Sequence, residues 1–418
     1  MVTISPATEF ASVTRVQSGH SATFSRTVTA SPGPNETIES TTLTLQREFF
    51  NLVLESNDPD IISLGVGEPD YSTPWPIRHD AIHSLEKGIT SYSSNQGLLE
   101  LRQLVALSIK KKTHQVINPK TELLITAGVS EAIDLILRAI INPKDEILLP
   151  TPAYICYSPL IHLLGGKTIE IDTSLSQFKL TAKQVESAIT PQTKAIILCS
   201  PNNPTGLSIP PQEFSKIAKL IKKHQFWAIS DEIYLDLTYN KKDAVSLLEF
   251  PEIKNQSIIL NGFSKSYAMT GWRIGYACGP EPVISRALKI HQYAALCAPI
   301  TSQYAAISAL KQKKEILKEM KQSYLERRNI CVKRFNEMGL PLELPTGAFY
   351  CFPNISSTGL SSEEFVIQLL HTEKVAVVPG NVFGKSGEGY IRCCYATEIS
   401  KLIEALSRIK RFITTTRQ

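Results

Sequence analysis

The 418-residue chain has no apolar run long enough to cross a bilayer and no apolar signal core near its start. Neither a membrane span nor secretion is therefore expected, and the sequence reads as cytoplasmic. Zinc-type CxxC pairing, HExxH and GxxxxGK[ST] are all missing, which removes the common metal-hydrolase and phosphate-loop classes; no metal site is expected. Cysteines number only 8 and are scattered through predicted core segments, which suits a reducing compartment better than a disulfide framework. There is no large excess of charge either, the net value being +5. The basic residues between Lys311 and Lys321 alternate with Ile316, Leu317 and Met320 as on an amphipathic helix. They read as a solvated face, and no nucleic-acid partner is expected. The chain also lacks internal repeats.

What is present is ample material for two cores, with 43% hydrophobic residues over the full length. Residues 1 to about 40 stand apart: they are rich in Ser and Thr, carry Arg15 and Arg26, and show little apolar periodicity. A mobile tail is expected there. Organellar transit peptides share that composition, but Glu9 and the lack of an Arg-bearing amphipathic face favour the tail. From Pro76 to about Pro299, helical patterns alternate with short apolar runs at 123–125, 146–149, 168–171, 195–198, 227–230, 257–260 and 274–278. This alternation predicts a mainly parallel sheet covered by helices, an α/β fold, over residues 76–299. From about Thr301 come two long helical patterns, strands near 348–352, 375–378 and 390–394, and a closing helix. Residues 41–75 plus 300–418 are expected to form a smaller α+β domain.

Chemistry concentrates in Asn261-Gly-Phe-Ser-Lys-Ser-Tyr-Ala-Met-Thr-Gly-Trp-Arg-Ile-Gly275. Lys265 sits among residues too apolar for an ordinary solvated lysine, and such a pocket makes the amine a usable nucleophile. Arg273 further on stays charged and offers a planar fork suited to phosphate. Ile125-Thr-Ala-Gly-Val-Ser-Glu-Ala132 reads as strand, tight turn and helix, so the amides of Val129, Ser130 and Glu131 are placed for an anion. Leu149-Pro-Thr-Pro-Ala-Tyr154 presents Tyr154 after a strand, and Ser200-Pro-Asn-Asn-Pro-Thr-Gly206 is a turn cluster at another strand's end. Trp227-Ala-Ile-Ser-Asp-Glu232 is a buried strand ending in two acids, where an ionised carboxylate needs a cationic partner or shifts its proton affinity. Arg392, between apolar neighbours, is likewise expensive to bury without an anion.

These segments, in this order, resemble the class I and II aminotransferases of fold type I, which depend on pyridoxal 5′-phosphate. The resemblance covers about residues 45 to 410. It implies that Lys265 carries the cofactor as a Schiff base and shuttles the proton, while Ser264, Arg273 and the amides at 129–131 hold the phosphate. Tyr154 would stack on the ring, a task that needs a flat face rather than one hydrogen bond. Asp231 would pair with the ring nitrogen and so keep the ring an electron sink. Asn203 and Tyr234 would donate to the phenolic oxygen, with Asn203 also near the substrate. Arg392 would grip the substrate carboxylate through two parallel hydrogen bonds. In Ile62-Ser-Leu-Gly-Val-Gly-Glu-Pro-Asp70, Gly67 would let the backbone approach the substrate. Tyr92 would reach a partner subunit's phosphate, implying a homodimer with shared sites. Two positions depart from the family pattern: Gly262 stands where many relatives have a phosphate-contacting serine, and Cys394 replaces a small hydroxyl residue. Glu232 has no assigned chemistry and reads as structural. The implied activity is transfer of the α-amino group of an L-amino acid to a 2-oxo acid, by ping-pong kinetics. A β- or γ-eliminating lyase and a catalytically silent homologue are the alternatives. Arg138, if its helix face turns to the site, would meet the distal carboxylate of a dicarboxylic substrate; otherwise it is a surface arginine.

Overall fold

The computed structural model describes residues 58–312 and 315–416, so the expected tail lies outside the described residues. In chain order the elements are β1 (Ile62–Ser63), α1 (Trp75–Glu86), α2 (Leu99–Thr113), β2 (Leu123–Thr126), α3 (Val129–Ile140), β3 (Glu146–Thr151), α4 (Tyr157–Leu163) and β4 (Lys167–Asp172). There follow α5 (Ala182–Ala188), β5 (Thr193–Cys199), α6 (Pro211–His224), β6 (Trp227–Asp231), β7 (Ser257–Gly262), β8 (Gly275–Cys278), α7 (Glu281–Ala294) and α8 (Ile300–Lys311). The last third holds α9 (Glu315–Glu337), β9 (Tyr350–Cys351), α10 (Ser362–Glu373), β10 (Val375–Ala376), β11 (Val378–Pro379), β12 (Ile391–Cys394) and α11 (Ile399–Thr416).

Each of the seven apolar runs expected between 123 and 278 forms a strand, and the seven make one sheet in the order β2-β8-β7-β6-β5-β3-β4. Only β8 runs against its neighbours. The fold is α/β, as the alternation predicts. Successive side chains of a strand point to opposite faces, so a strand buried on both sides must be apolar throughout. Thus Ile196 and Leu198 of β5 join the core beneath α1, α2, α6 and α8, while Ala195 and Ile197 join the core beneath α3, α4 and α7. Pro211 opens α6 at a position where a missing N–H costs nothing, and Gln225 ends it in the left-handed conformation.

Helices α9, α10 and α11 cover a separate core with the antiparallel sheet β11-β12-β9 and the parallel pair β1-β10. That core extends into the segment after β6 through Ile233, Tyr234 and Leu237. Helix α8 packs instead on α1 and α2, against the large sheet. No described helix is long and apolar enough to cross a membrane. Strands β2, β3, β5, β6 and β7 point the same way, so the segments following them meet at one sheet edge. Ligand sites of open α/β sheets lie there.

Candidate active site

At that edge lies a cavity of about 400 Å³. Its wall includes Gly67, Val129, Ser130, Tyr154, Asn203, Asp231, Tyr234, Ser264, Lys265, Arg273 and Arg392. Eleven of the residues singled out from the sequence, drawn from segments between 67 and 392, therefore face one space.

Lys265 follows β7 and donates from Nζ to the Gly67 carbonyl at 2.7 Å. This side chain lines the cavity, and protein surrounds it on the other sides. Loss of bulk hydration pulls its ammonium down from 10.5 to about 8. Asp231 closes β6 and is buried; its Oδ2 accepts the Tyr157 hydroxyl at 2.6 Å and its Oδ1 accepts the Ile233 amide at 3.1 Å. Burial pushes its carboxyl above the ordinary value, against the opposing pull of those hydrogen bonds. No Lys, Arg or His among the described residues forms an ion pair with it.

Arg392 on β12 is 3% exposed, donates to Asn203 Oδ1 at 3.0 Å and the Gly65 carbonyl at 2.6 Å, and keeps its buried Nε without a partner. Its guanidinium lies over the rings of Tyr350, at 4.8 Å, and Phe383, at 5.1 Å. Ring faces compensate only part of the lost hydration of a buried cation, so the site favours a carboxylate ligand. Because Asn203 Oδ1 is taken by the arginine, its amide N–H₂ is the free donor. Tyr234 shares a 2.7 Å hydrogen bond with the Tyr350 hydroxyl, and burial pushes the Tyr234 phenol upward.

The anion cradle is built by close backbone approach. Gly128 has φ +83°, and a Cβ there would come within 2.8 Å of an Arg273 nitrogen. A Cβ at Gly275 would stand 2.9 Å from the Val129 nitrogen. Arg273 is exposed, with one nitrogen donating to the Thr270 carbonyl at 3.1 Å, and its fork borders the N-terminus of α3. The glycine at 262 is tightly flanked: a Cβ there would lie 3.0 Å from Gly275 Cα and from the Ile274 carbonyl, so a side chain would require these neighbours to shift by a few tenths of an ångström.

Three sequence candidates are not on the cavity wall. Glu131 turns its carboxylate back onto the Ala127 amide and His291, leaving only its backbone in the cradle turn. Tyr92 is 81% exposed and does not line the cavity of its own chain. Arg138 requires a correction: it is exposed and pairs with Asp134 at 2.8 Å, one turn back on α3. The physical reason is the helix period. Ile133, Ile136, Leu137 and Ile140 bury one stripe of α3, and Arg138 falls outside it. It does not line this cavity. Glu232 also points away, its Oε1 accepting the Leu247 amide at 3.0 Å and the Ser246 hydroxyl at 2.9 Å, and burial raises its carboxyl to about 7.

Of the wall residues that the sequence did not single out, two hold its charged groups. Tyr157 holds Asp231, and its place one helical turn after Tyr154, at the start of α4, was the available signal. Tyr350 links Tyr234 to Arg392, and nothing local marks a residue whose partners lie so far away in the chain.

Comparison with known proteins agrees with this geometry. A family model described as aminotransferase class I and II matches residues 59–409. The chain is 47% identical to the putative aminotransferase YugH of Bacillus subtilis, over 88% of this chain and 95% of that protein. It is 41% identical to aromatic-amino-acid aminotransferase 2 of Thermococcus litoralis, again over 88% and 95%. Among solved structures, Thermus thermophilus aspartate aminotransferase with maleate superposes with a TM-score of 0.87 at 30% identity, covering 91% of this chain and 100% of that one. A match across most of the sequence, with relatives this similar over nearly their whole length, shows that the chain belongs to the class I and II aminotransferases, fold type I enzymes that move amino groups and depend in general on pyridoxal 5′-phosphate.

Proposed function

We propose that this cavity transfers the α-amino group of an L-amino acid to a 2-oxo acid, using pyridoxal 5′-phosphate held at Lys265. One observation carries the reading: a lysine with a depressed proton affinity, a buried carboxylate without a cation and a buried arginine without an anion converge on a single space. Each is costly alone, and each suits a different part of the cofactor and substrate.

The residues fit the group. The cradle between Gly128, Val129, Ser130, Ser264 and Arg273 would hold the phosphate, the Tyr154 face would lie on the ring, and Asp231 would pair with the ring nitrogen. Asn203 and Tyr234 would donate to the phenolic oxygen. When bound, pyridoxal 5′-phosphate supplies an aldehyde carbon for the amine and a protonated ring that takes up the electron pair left at the α-carbon. Arg392 binds the substrate carboxylate and fixes which α-substituent faces Lys265. With its proton affinity lowered to about 8, Lys265 Nζ can remove the α-proton as a base and return it as an acid. Because Arg392 is the single buried clamp on this wall, amino acid and oxo acid occupy it in turn. Ping-pong kinetics follow. Tyr92, which is exposed, would serve the site of a partner copy, and a homodimer is part of this proposal.

The test is product analysis on cofactor-loaded protein across a panel of L-amino acids. Transamination yields the 2-oxo acid and no ammonia, with turnover only when a second oxo acid is added. Ammonia released in step with oxo acid would identify an eliminating lyase instead.

A further inference from the structure

The first turn of α3 carries a clasp that no catalytic role explains. Glu131 places Oε2 on the Ala127 amide and Oε1 within 2.7 Å of His291 Nδ1. His291 comes from the last turn of α7 and is wholly buried, while the Glu131 side chain is 17% exposed. His291 Nε2 has no partner. With Nδ1–H donating to the carboxylate, Nε2 is left as a bare acceptor, which costs less than a second buried N–H with nothing to donate to. A buried imidazole with an unsatisfied nitrogen destabilises the fold relative to an apolar residue, so its retention in a packed core asks for a reason.

The reason lies in the turn it fastens. Ala127, Gly128 and Val129 lead the chain from β2 into α3, between the Arg273 guanidinium and the backbone of Gly275. Gly128, with φ +83°, caps no N–H with a side chain, since it has none. Thr126 anchors the turn at one side by donating to the Gly128 carbonyl at 2.9 Å. Glu131 anchors the other side, and His291 fixes the rotamer of Glu131. Without His291, the carboxylate would be free to leave Ala127 for solvent, and the turn would lose its attachment to α7.

We propose that His291 is a positioning residue for phosphate binding: through Glu131 it holds the turn 127–129 so that the amides of Val129 and Ser130 stay aimed at the anion. The inference rests on the functional reading above, since it needs the phosphate to lie in this cradle.

The test compares two ligands that differ only in the phosphate. Dissociation constants of pyridoxal 5′-phosphate and of pyridoxal are measured by fluorescence titration for wild type, His291→Leu, Glu131→Leu and the double variant. Each single variant should weaken pyridoxal 5′-phosphate by about ten- to a hundredfold, the scale of one hydrogen bond to a charged group, while pyridoxal changes less than about twofold. The double variant should lose no more than either single one, because the pair acts as a unit. His291→Asn, whose amide nitrogen lies near the place of Nδ1, should recover most of the loss. If His291→Leu does not fold, Glu131→Leu gives the same two readings. Equal losses for the two ligands, or none, would overturn the positioning role. A wild type that binds both ligands alike would overturn the phosphate cradle, and this inference with it.

Discussion

Tyr157→Phe isolates one hydrogen bond beneath the cofactor site. The substitution keeps the ring, and with it the edge-on packing on Tyr154 at 5.5 Å between centroids, while removing the hydroxyl that donates to Asp231 at 2.6 Å. A hydrogen bond to a charged group is worth roughly 1.5–3 kcal/mol, and Asp231 would retain only the Ile233 amide. The ionised carboxylate, the form that pairs with a protonated ring, is then less stable. At 1.4 kcal/mol per tenfold, pyridoxal 5′-phosphate should bind about ten- to a hundredfold more weakly near pH 7.5. The pH dependence has a definite sign. Burial already raises the Asp231 carboxyl above 3.8, so its contribution to folding is complete at low pH and is lost as pH rises through the folded value. Tyr157→Phe moves that value further up and should steepen the loss. Two assays suffice: ligand titration at several pH values, and urea unfolding of the cofactor-free protein from pH 4 upward. Unchanged affinity together with an unchanged pH–stability profile would refute the coupling between Tyr157 and Asp231.

In cofactor-free protein the Lys265 amine should titrate near 8, with selective acetylation there at mildly alkaline pH. Because its folded value lies below 10.5, folding stability should rise between about pH 8 and 10.5, by up to about 3 kcal/mol, as the cost of burying the ammonium disappears. Lys265→Ala should abolish turnover, keep the fold and flatten that rise; retained turnover would sink the assignment. Arg392→Leu should lower kcat/KM by at least about ten- to a hundredfold for every substrate, whereas Arg138→Leu should leave dicarboxylic and neutral substrates alike unaffected. A selective loss with Arg138→Leu would contradict its outward placement. Mixing Tyr92→Ala with Lys265→Ala should restore activity in the mixed dimers, since one of their two sites is then complete. No gain over either variant alone would argue against sites shared across subunits.

Much of the fold was legible because burial on both faces forces a parallel strand to be apolar along its length, and the seven runs from Leu123 to Cys278 show that signature. Most of the cavity was legible for a related reason. Lys265, Asp231 and Arg392 are charges in apolar company, and such conflicts mark places where a ligand completes the chemistry. Sequence periodicity alone did not settle Arg138. A position on α3 fixes its angle around the helix axis, but not what stands opposite, and the buried stripe of Ile133, Ile136, Leu137 and Ile140 turned Arg138 to solvent beside Asp134.

The chain by itself determined which groups must be satisfied: a lysine, a carboxylate and an arginine in apolar segments, glycines where the backbone must pass closely, and strands that can live only inside. Tertiary structure alone decided who satisfies or holds them. Tyr157 reaches Asp231, Tyr350 joins Tyr234 to Arg392, His291 fastens Glu131, and Gly262 is closely flanked by Gly275 on the neighbouring strand. Hydrogen bonds and steric contacts act over a few ångströms whatever the separation along the chain. Local patterns can announce that a partner is required, but only the folded arrangement of distant segments selects which residue it is.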